Sequence, residues 1–433
     1  MTALTYLRSL KKPIAFGHYS VKNDISGVTT WLEKLVLSLH MDGVPVVVYI
    51  QHFGNDTQNS WLLNSLQSAG VTVHIQPSAI YTDTNVRNTL LFLNKYQPLA
   101  FLPQCIAPLY FAAEIGAHFH LPWAMTVHSD DPVYWAIAET VLPEQNNGIV
   151  VGVSQFICQQ AISRQLSSRP LPIPYGVPET NYKAAFNNAS FKVVFSGRLV
   201  EEQKRLSIVV DTMIKACQED SRIECWLIGH GSARESAQKR VEACGLGNRI
   251  LFLGRLPIQD VKKKLAQCQV ILMMSDYEGL PLALLEAMSI GVVPIVRSIP
   301  SGIPELIEHG KTGFLVDHKP ENAVQSILRL ADRPELWRQC STAARDLIQN
   351  YYSEDICYQK WLDTLAKLCE ETDIKYPISI ARKLALPPKH PDLDTHYIVR
   401  PHLVGVVRHK VIVAIKKIAK AILYMTRFTI TEK

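Results

Sequence analysis

Several common signals are missing from this sequence, and each absence narrows the reading. No stretch of about 18 apolar residues occurs, so nothing reads as a helix that spans a membrane. The nine cysteines lie singly from Cys105 to Cys369, odd in number and with no C-x-x-C pair. That argues against a disulfide framework and against a zinc site, and predicts a reducing, cytoplasmic setting. The opening MTALTYLRSLKK is basic, but no long apolar run follows it before Pro13, which predicts no secretory leader. No repeat of about 20–50 residues is visible. The G-x-G of IGHGS (Ile228–Ser232) lacks a third glycine, which disfavours an NAD-type oxidoreductase. Charge is also scarce over most of the chain. Residues 396–433 hold eight cations (Arg400, Arg408, Lys410, Lys416, Lys417, Lys420, Arg427 and Lys433) against Glu432 alone. This is +7 of a net +6, which leaves −1 for residues 1–395. A neutral body of that size predicts no nucleic-acid partner.

With 433 residues, 47% of them hydrophobic, the chain has the length and composition of two globular domains of roughly 150–200 residues each. Short apolar runs alternate with helical stretches. Strands are expected at Pro13–Tyr19, Val44–Ile50, Val71–Ile75, Ala100–Leu102, Trp123–His128 and Ile149–Val153. The stretch Val28–Met41 is expected as a helix with Trp31, Leu32, Leu35 and Leu39 along one side. The four prolines of Arg169–Thr180 stop both helix and strand and mark a linker. The alternation then restarts with strands at Phe191–Gly197, Ile223–Gly229, Ile250–Leu253, Val270–Met274 and Val292–Val296. The fold class is therefore α/β: two doubly wound, Rossmann-like domains facing across a cleft, with ligands at the carboxyl ends of the strands. The expected organisation is a first domain over 1–178, a second over 179–352, a closing helix over 353–371 that returns to the first domain, and a basic amphipathic tail over 372–433.

The richest segment for chemistry is SDYEGLPLALLEAMSIGVVPIV (Ser275–Val296). A strand ends near Met274, Gly279 and Pro281 sit in the turn, and LALLEAM propagates a helix from it. The free N–H groups and positive dipole end of such a helix start suit a diphosphate. Glu278 lies in the loop and Glu286 about two turns along. Two glutamates eight apart are common by chance, so the spacing alone carries nothing. In FSGRLVEEQKR (Phe195–Arg205), Arg198 and Lys204 offer a guanidinium fork and a point charge to a diphosphate, although a solvated charged loop is the commoner fate of such a run. Ser26–Gly27 precede a helix, and a glycine there lets backbone approach a ligand, as does any ordinary helix entry. His128 ends a strand where site residues gather, although single histidines are more often structural. Asp130 and Asp131 look like a pair of metal ligands or an acid/base couple, but adjacent side chains rarely converge, so N-capping before Pro132 is the default.

Taken whole, E-G-L-P, the helix and E-A-M resemble the two-glutamate signature of glycosyltransferase family 4. G-R-L with Lys204 resembles that family's phosphate-binding element, except that Arg205 stands where the family has glycine. The resemblance is dense over about 191–317, including SGIPELIEHGKTGFLV (Ser301–Val316), and looser over the rest of 13–371. It implies the GT-B fold and a retaining transfer of a sugar from a nucleotide-sugar donor, a UDP-sugar by family weight. The acceptor would be a glycan, lipid-linked or other hydroxyl, and no metal or cofactor is required. It also implies site roles. Glu278 lies beside the donor sugar and Glu286 accepts from the ribose hydroxyls. Gly279, Leu280, Pro281 and Leu282 hold sugar and phosphate through the turn. Arg198 and Lys204 neutralise the diphosphate, His128 faces the sugar, Leu256 lies beside the base, and Gly27 contacts phosphate or acceptor. A related epimerase or a sugar-nucleotide binder without turnover are the alternatives.

The tail offers a separate reading. Val404, Val411, Ile415, Ile418, Ile422 and Met425 recur at helical steps, with most cations of 400–428 on another side. Such a helix suits an anionic membrane surface at its inner face. Packing on the first domain, with the charges in water, is the equal alternative.

Overall fold

The computed structural model describes residues 1–21, 26–54, 60–142, 148–370, 373–393 and 397–398. Among them, the strands of the first half form one parallel sheet: β1 Ile14–Ser20, β2 Val46–His52, β3 Thr72–Pro77, β4 Ala100–Pro103, β5 Trp123–Val127, β6 Gly148–Gly152 and β7 Leu171–Pro172. Their order is β3-β2-β1-β4-β5-β6-β7. The second half forms another parallel sheet from β8 Phe191–Ser196, β9 Ile223–Ile228, β10 Ile250–Gly254, β11 Val270–Met273, β12 Val293–Arg297 and β13 Phe314–Val316, in the order β10-β9-β8-β11-β12-β13. Each order reverses beside its first strand, between β1 and β4 and between β8 and β11. A doubly wound sheet opens a crevice at such a reversal. The strands that flank these reversals, such as β1 with Ile14–Phe16 and β11 with Val270–Met273, are buried on both faces, which is why they read as apolar runs.

The expected strands match the observed ones to within a few residues, with two additions. Leu171–Pro172, inside the proline-rich linker, pairs with Val151 and Gly152 as the sheet's last strand. An edge is where a residue without an N–H is tolerated. Phe314–Val316 pairs with Ile295–Arg297 and completes the second sheet.

The chain crosses between the sheets twice, and the crossings lie side by side. The Val177 N–H donates to the Tyr352 carbonyl at 2.9 Å, and the Glu354 N–H donates to the Val177 carbonyl at 3.0 Å. After the second crossing the helix Glu354–Glu370 lies against the first sheet's helices. The Tyr6 hydroxyl donates to the Cys369 carbonyl at 2.9 Å, the Tyr358 hydroxyl donates to Asp42 Oδ2 at 2.8 Å, and the rings of Trp31 and Trp361 sit 5.4 Å apart.

Residues 373–393 differ from the expected amphipathic tail. They form an extended strap along the helix Thr82–Tyr96, antiparallel to it. The Tyr376 hydroxyl donates to the Pro98 carbonyl, Asn94 pairs with the Ile378 backbone, and Arg87 donates to the carbonyls of Ala381 and Arg382. Prolines at 377, 387, 388 and 391 remove N–H donors and account for the absence of helix there. The stripe from Val404 to Met425 lies outside the described residues. Among those described, no helix is long and apolar enough to cross a membrane.

Candidate functional site

The two sheets present their carboxyl ends to one cavity of about 790 Å³. Strand-end residues from both halves line it: Tyr19 at the end of β1, Cys105 and Ile106 after β4, and His128 after β5. From the second half come Ser196–Arg198 at the end of β8, Ile228–His230 at the end of β9, and Met273 at the end of β11 with Tyr277–Ala283 beyond it.

The charged wall belongs to the second half. Lys204 Nζ lies 2.5 Å from Glu278 Oε1, and the two side chains are only 13% and 7% exposed. A pair this secluded is hard to separate, because removing either partner strands the other charge. Arg198 is exposed to the cavity and donates from Nη2 to Gln203 Oε1 at 2.6 Å. Gln203 is itself buried, and its Nε2 donates to the Tyr277 carbonyl at 3.1 Å while its own carbonyl accepts from the Asp276 N–H at 2.9 Å. One glutamine thus ties the Arg198 loop to the Glu278 loop.

Arg205 answers the question raised by the missing glycine. It adopts φ 48°, ψ 53°, the left-handed conformation that glycine takes readily. Its guanidinium turns to Asp276, which Arg297 also holds. The backbone shape is therefore kept at some strain, and the side chain is committed to an ion-pair cluster.

Beyond Glu278 the chain enters the helix Leu282–Ile290, which has no side-chain cap. Leu284 and Leu285 donate to the Pro281 carbonyl, while Leu282 and Ala283 line the cavity at the helix's positive end. Gly279 is required where it stands. A Cβ on it would fall 2.2 Å from the His128 carbonyl oxygen, so this turn docks directly on the end of β5. Gly229 is required for a similar reason, since it has φ 136° and a Cβ there would fall 1.9 Å from the Gly197 carbonyl oxygen.

The first half contributes a different kind of wall. His128 is buried, with Nδ1 2.7 Å from the Tyr175 hydroxyl and Nε2 2.8 Å from Gln104 Oε1. Burial, and secondarily the neighbouring His18, lower its pKa to about 3, so the ring is neutral at physiological pH. His128 lines the cavity as expected, but both its nitrogens are engaged by the protein, so it is no free donor to a ligand. The same wall holds Tyr19, Phe53, Val133 and Tyr134, the Tyr134 ring 5.9 Å from that of His128. Gly27, at the start of the helix Gly27–Met41, also lines the cavity, and a Cβ on it would be 3.8 Å from Leu282 Cβ.

The aspartates diverge. Asp131 Oδ1 accepts from the Val133 N–H at 2.9 Å as a helix cap, and Asp130 Oδ1 accepts from Trp135 Nε1 at 2.7 Å. No cluster of three or more His, Cys, Asp or Glu that could hold a metal occurs among the described residues.

Of the residues singled out in the sequence, Gly27, His128, Arg198, Lys204, Leu256, Glu278, Gly279, Leu280, Pro281 and Leu282 all border this cavity. Glu286 does not. It lies one helical turn beyond Leu282, half-buried, with its pKa raised by burial and with Lys34 and Lys262 near enough to oppose the rise. Lys34 Nζ is buried without a hydrogen-bond partner. The wall also holds Tyr19, Phe53, Tyr134, Gln203, Arg255 and Tyr277, which the sequence did not single out. Three of them left a trace: Gln203 lies inside FSGRLVEEQKR, Tyr277 inside SDYEGLP, and Arg255 directly before Leu256.

Residues 178–347 match the family model described as glycosyl transferases group 1. Over 182 residues the chain is 29% identical to the amylovoran biosynthesis glycosyltransferase AmsK of Erwinia amylovora, a match covering 40% of this chain and 44% of that protein. Over 189 residues it is 32% identical to the N-acetyl-alpha-D-glucosaminyl L-malate synthase of Bacillus anthracis, covering 43% and 45%. The chain thus spans less than half the length of these relatives. The crystal structure of Anabaena Alr3699/HepE in complex with UDP superposes with a TM-score of 0.68 at 16% identity, covering 82% of this chain and all of that one. The fold is GT-B, two Rossmann-like domains facing across the cleft that holds the candidate site.

Proposed function

We propose that this chain is a glycosyltransferase of polysaccharide biosynthesis that moves a sugar from a nucleotide diphosphate sugar to a hydroxyl acceptor, with retention at the anomeric carbon. The observation that carries the reading is the buried Lys204–Glu278 pair, set beside Arg198 and an uncapped helix start in a cleft between two domains. The relatives in polysaccharide assembly and the UDP bound to HepE favour a UDP-sugar as donor.

In this account the diphosphate lies between Arg198, Lys204 and the N–H groups of Leu282 and Ala283. As the bond to the anomeric carbon breaks, negative charge grows on the leaving phosphate, and these groups are already aimed at it. Stabilising developing charge with fixed donors is commonly the largest part of catalysis. The diphosphate also competes for Lys204, which frees the Glu278 carboxylate to orient sugar hydroxyls and stabilise positive charge at the ring. His128 stays neutral and shapes the sugar pocket through Tyr175 and Gln104. It is a positioning residue and not a proton carrier. Retention follows from acceptor attack on the face the diphosphate leaves, assisted by that phosphate. Glu286 reaches a ribose only by turning from Lys34 and Lys262 toward Leu282, and its role there belongs to this proposal. The first-domain wall of Tyr19, Phe53 and Tyr134 suits the apolar face of a sugar acceptor.

The test is a calorimetric panel of nucleotide sugars, followed by measurement of nucleoside diphosphate release with and without candidate glycans. The reading expects release that depends on acceptor. Release or sugar isomerisation with no acceptor present would replace it with hydrolysis or epimerisation, and no binding across the panel would remove it.

A further inference from the structure

Arg198 is held differently from the cations around it. Lys204 pairs with Glu278, and Arg205 and Arg297 both pair with Asp276. Among the described residues no carboxylate pairs with Arg198, whose Nη2 donates instead to Gln203 Oε1 at 2.6 Å. A carboxylate partner would fix the guanidinium and cancel much of its charge. A neutral amide fixes it and leaves the charge for a ligand. Arg198 is exposed to the cavity, whereas Gln203 is only 7% exposed.

The other end of the same amide is also engaged. Gln203 Nε2 donates to the Tyr277 carbonyl at 3.1 Å, in the peptide that leads into Glu278. A guanidinium only donates and a carbonyl oxygen only accepts, so the side chain between them must carry both an acceptor and a donor. Glutamine carries both at this length. A glutamate lacks the donor, and a lysine lacks the acceptor. The orientation of the amide is fixed by the same rule, since turning it over would set N–H against N–H and oxygen against oxygen. Burial makes a mismatch here expensive in stability. The backbone of Gln203 adds a third tie, its carbonyl accepting from the Asp276 N–H at 2.9 Å.

We infer that Gln203 is a positioning residue: it aims the Arg198 guanidinium at the donor diphosphate and sets the place of that cation relative to Glu278. The phosphate end and the sugar end of the donor are thereby held in one register. The inference rests on the nucleotide-sugar reading above. A guanidinium fork binds phosphate by direction as well as by charge. An exposed arginine without a fixed partner gives up rotamer freedom when it binds, and Gln203 has already removed that freedom. Gln203 borders the cavity, but the oxygen and the nitrogen of its amide are both engaged by the protein, so its contribution runs through Arg198.

The experiment is calorimetric titration of UDP and of UMP into the full chain, as the parent, Arg198→Met, Gln203→Met and Arg198→Met/Gln203→Met, with thermal melts to check folding. Arg198→Met is expected to bind UDP about ten- to hundredfold more weakly, the range for loss of a charged partner. Gln203→Met is expected to bind UDP about five- to tenfold more weakly and to bind UMP, which lacks the second phosphate, within about twofold of the parent. The double variant should match Arg198→Met within about twofold, because Gln203 has nothing left to aim. Gln203→Asn keeps a polar amide but is one methylene too short to reach both partners, and it runs the same cycle where Gln203→Met does not fold. Losses that multiply in the double variant would make Gln203 a direct contact, and an equal loss for UMP would make it a support of the whole loop. Either overturns the assignment, as does UDP affinity unchanged by both Gln203 variants. A parent that binds no UDP overturns the donor reading itself, and the inference with it.

Discussion

The two walls of the cleft are built on opposite plans. The second-domain wall is charged and assembled from contiguous stretches, with Arg198 to Arg205 on one loop and Asp276 to Leu282 on another, joined by Gln203 and the Lys204–Glu278 pair. The first-domain wall is mainly aromatic and apolar, with Ser26, Ser129 and Asp131 besides, and takes one or two residues from each of several strand ends and the helix after β5: Tyr19, Phe53, Cys105, His128 and Tyr134. A diphosphate is the same group in every donor, and recognising it needs fixed charges at a fixed spacing. An acceptor varies, and scattered contact residues can be exchanged singly without disturbing the sheet. The comparison therefore assigns chemistry to one wall and selection to the other, and mutations should separate them.

The largest effect is expected at the buried ion pair. Lys204→Met should lower turnover by about 10²–10³, the loss typical of a donor to developing charge. It should also destabilise the fold by about 3–5 kcal/mol, because Glu278 is left buried and unpaired. Lys204→Met/Glu278→Gln should recover much of the stability and none of the turnover. Denaturant melts beside steady-state kinetics check this. A double variant no more stable than the single would place the cost elsewhere.

The second effect lies in the first domain, behind and in its wall, and concerns acid stability. His18 and His128 are both buried, and burial lowers the pKa of each to about 3. Each is neutral when folded and takes a proton when unfolded below the usual histidine value, near 6.5. The stability they contribute is complete above that pH and is lost progressively as pH falls toward 3. By about pH 5 each should have cost about 2 kcal/mol. His18→Asn should flatten the decline in melting temperature between neutral pH and about pH 5. An unchanged slope would contradict the assignment.

Third, Gly279→Ala should strain a place where the two walls meet closely, since its Cβ would meet the His128 carbonyl. The expected loss is about 1–3 kcal/mol of stability, with a raised KM for donor and acceptor together. A change in donor KM alone would show that the turn does not couple the walls.

The fourth effect, confined to donor binding, is at Glu286. Its raised pKa means that a charged carboxylate is lost on acidification sooner than for an ordinary glutamate. Donor affinity should begin to fall above the usual carboxylate range as pH drops, and Lys34→Met, which removes an opposing charge, should move that fall to higher pH. Glu286→Ala should weaken donor binding by about 1.5–3 kcal/mol and abolish the pH effect. Calorimetry against pH measures both, and a donor affinity indifferent to Glu286 would remove it from the site.

The same contrast explains what the sequence disclosed. Apolar runs and their spacing announced both sheets, because strands buried on two faces leave unbroken β-branched stretches. The charged wall was legible because its residues are neighbours in the chain and one pattern holds Glu278, Gly279 and Pro281 together. The aromatic wall was not. Tyr19 and Phe53 are single residues at the ends of different strands, and only strand order brings them together. The engaged nitrogens of His128 were invisible for the same reason, since Gln104 and Tyr175 lie 24 and 47 residues away. Arg205 shows the reverse case. The sequence departs from the family pattern, yet the backbone keeps the left-handed turn.

The most direct measurement is titration of UDP into the parent and into Lys204→Met by calorimetry, with chelator in both cells. If the charged wall holds the diphosphate, the parent binds UDP in chelator and the variant binds about ten- to hundredfold more weakly, the range for loss of a charged partner. Equal affinities, or no UDP binding by the parent, would contradict the account.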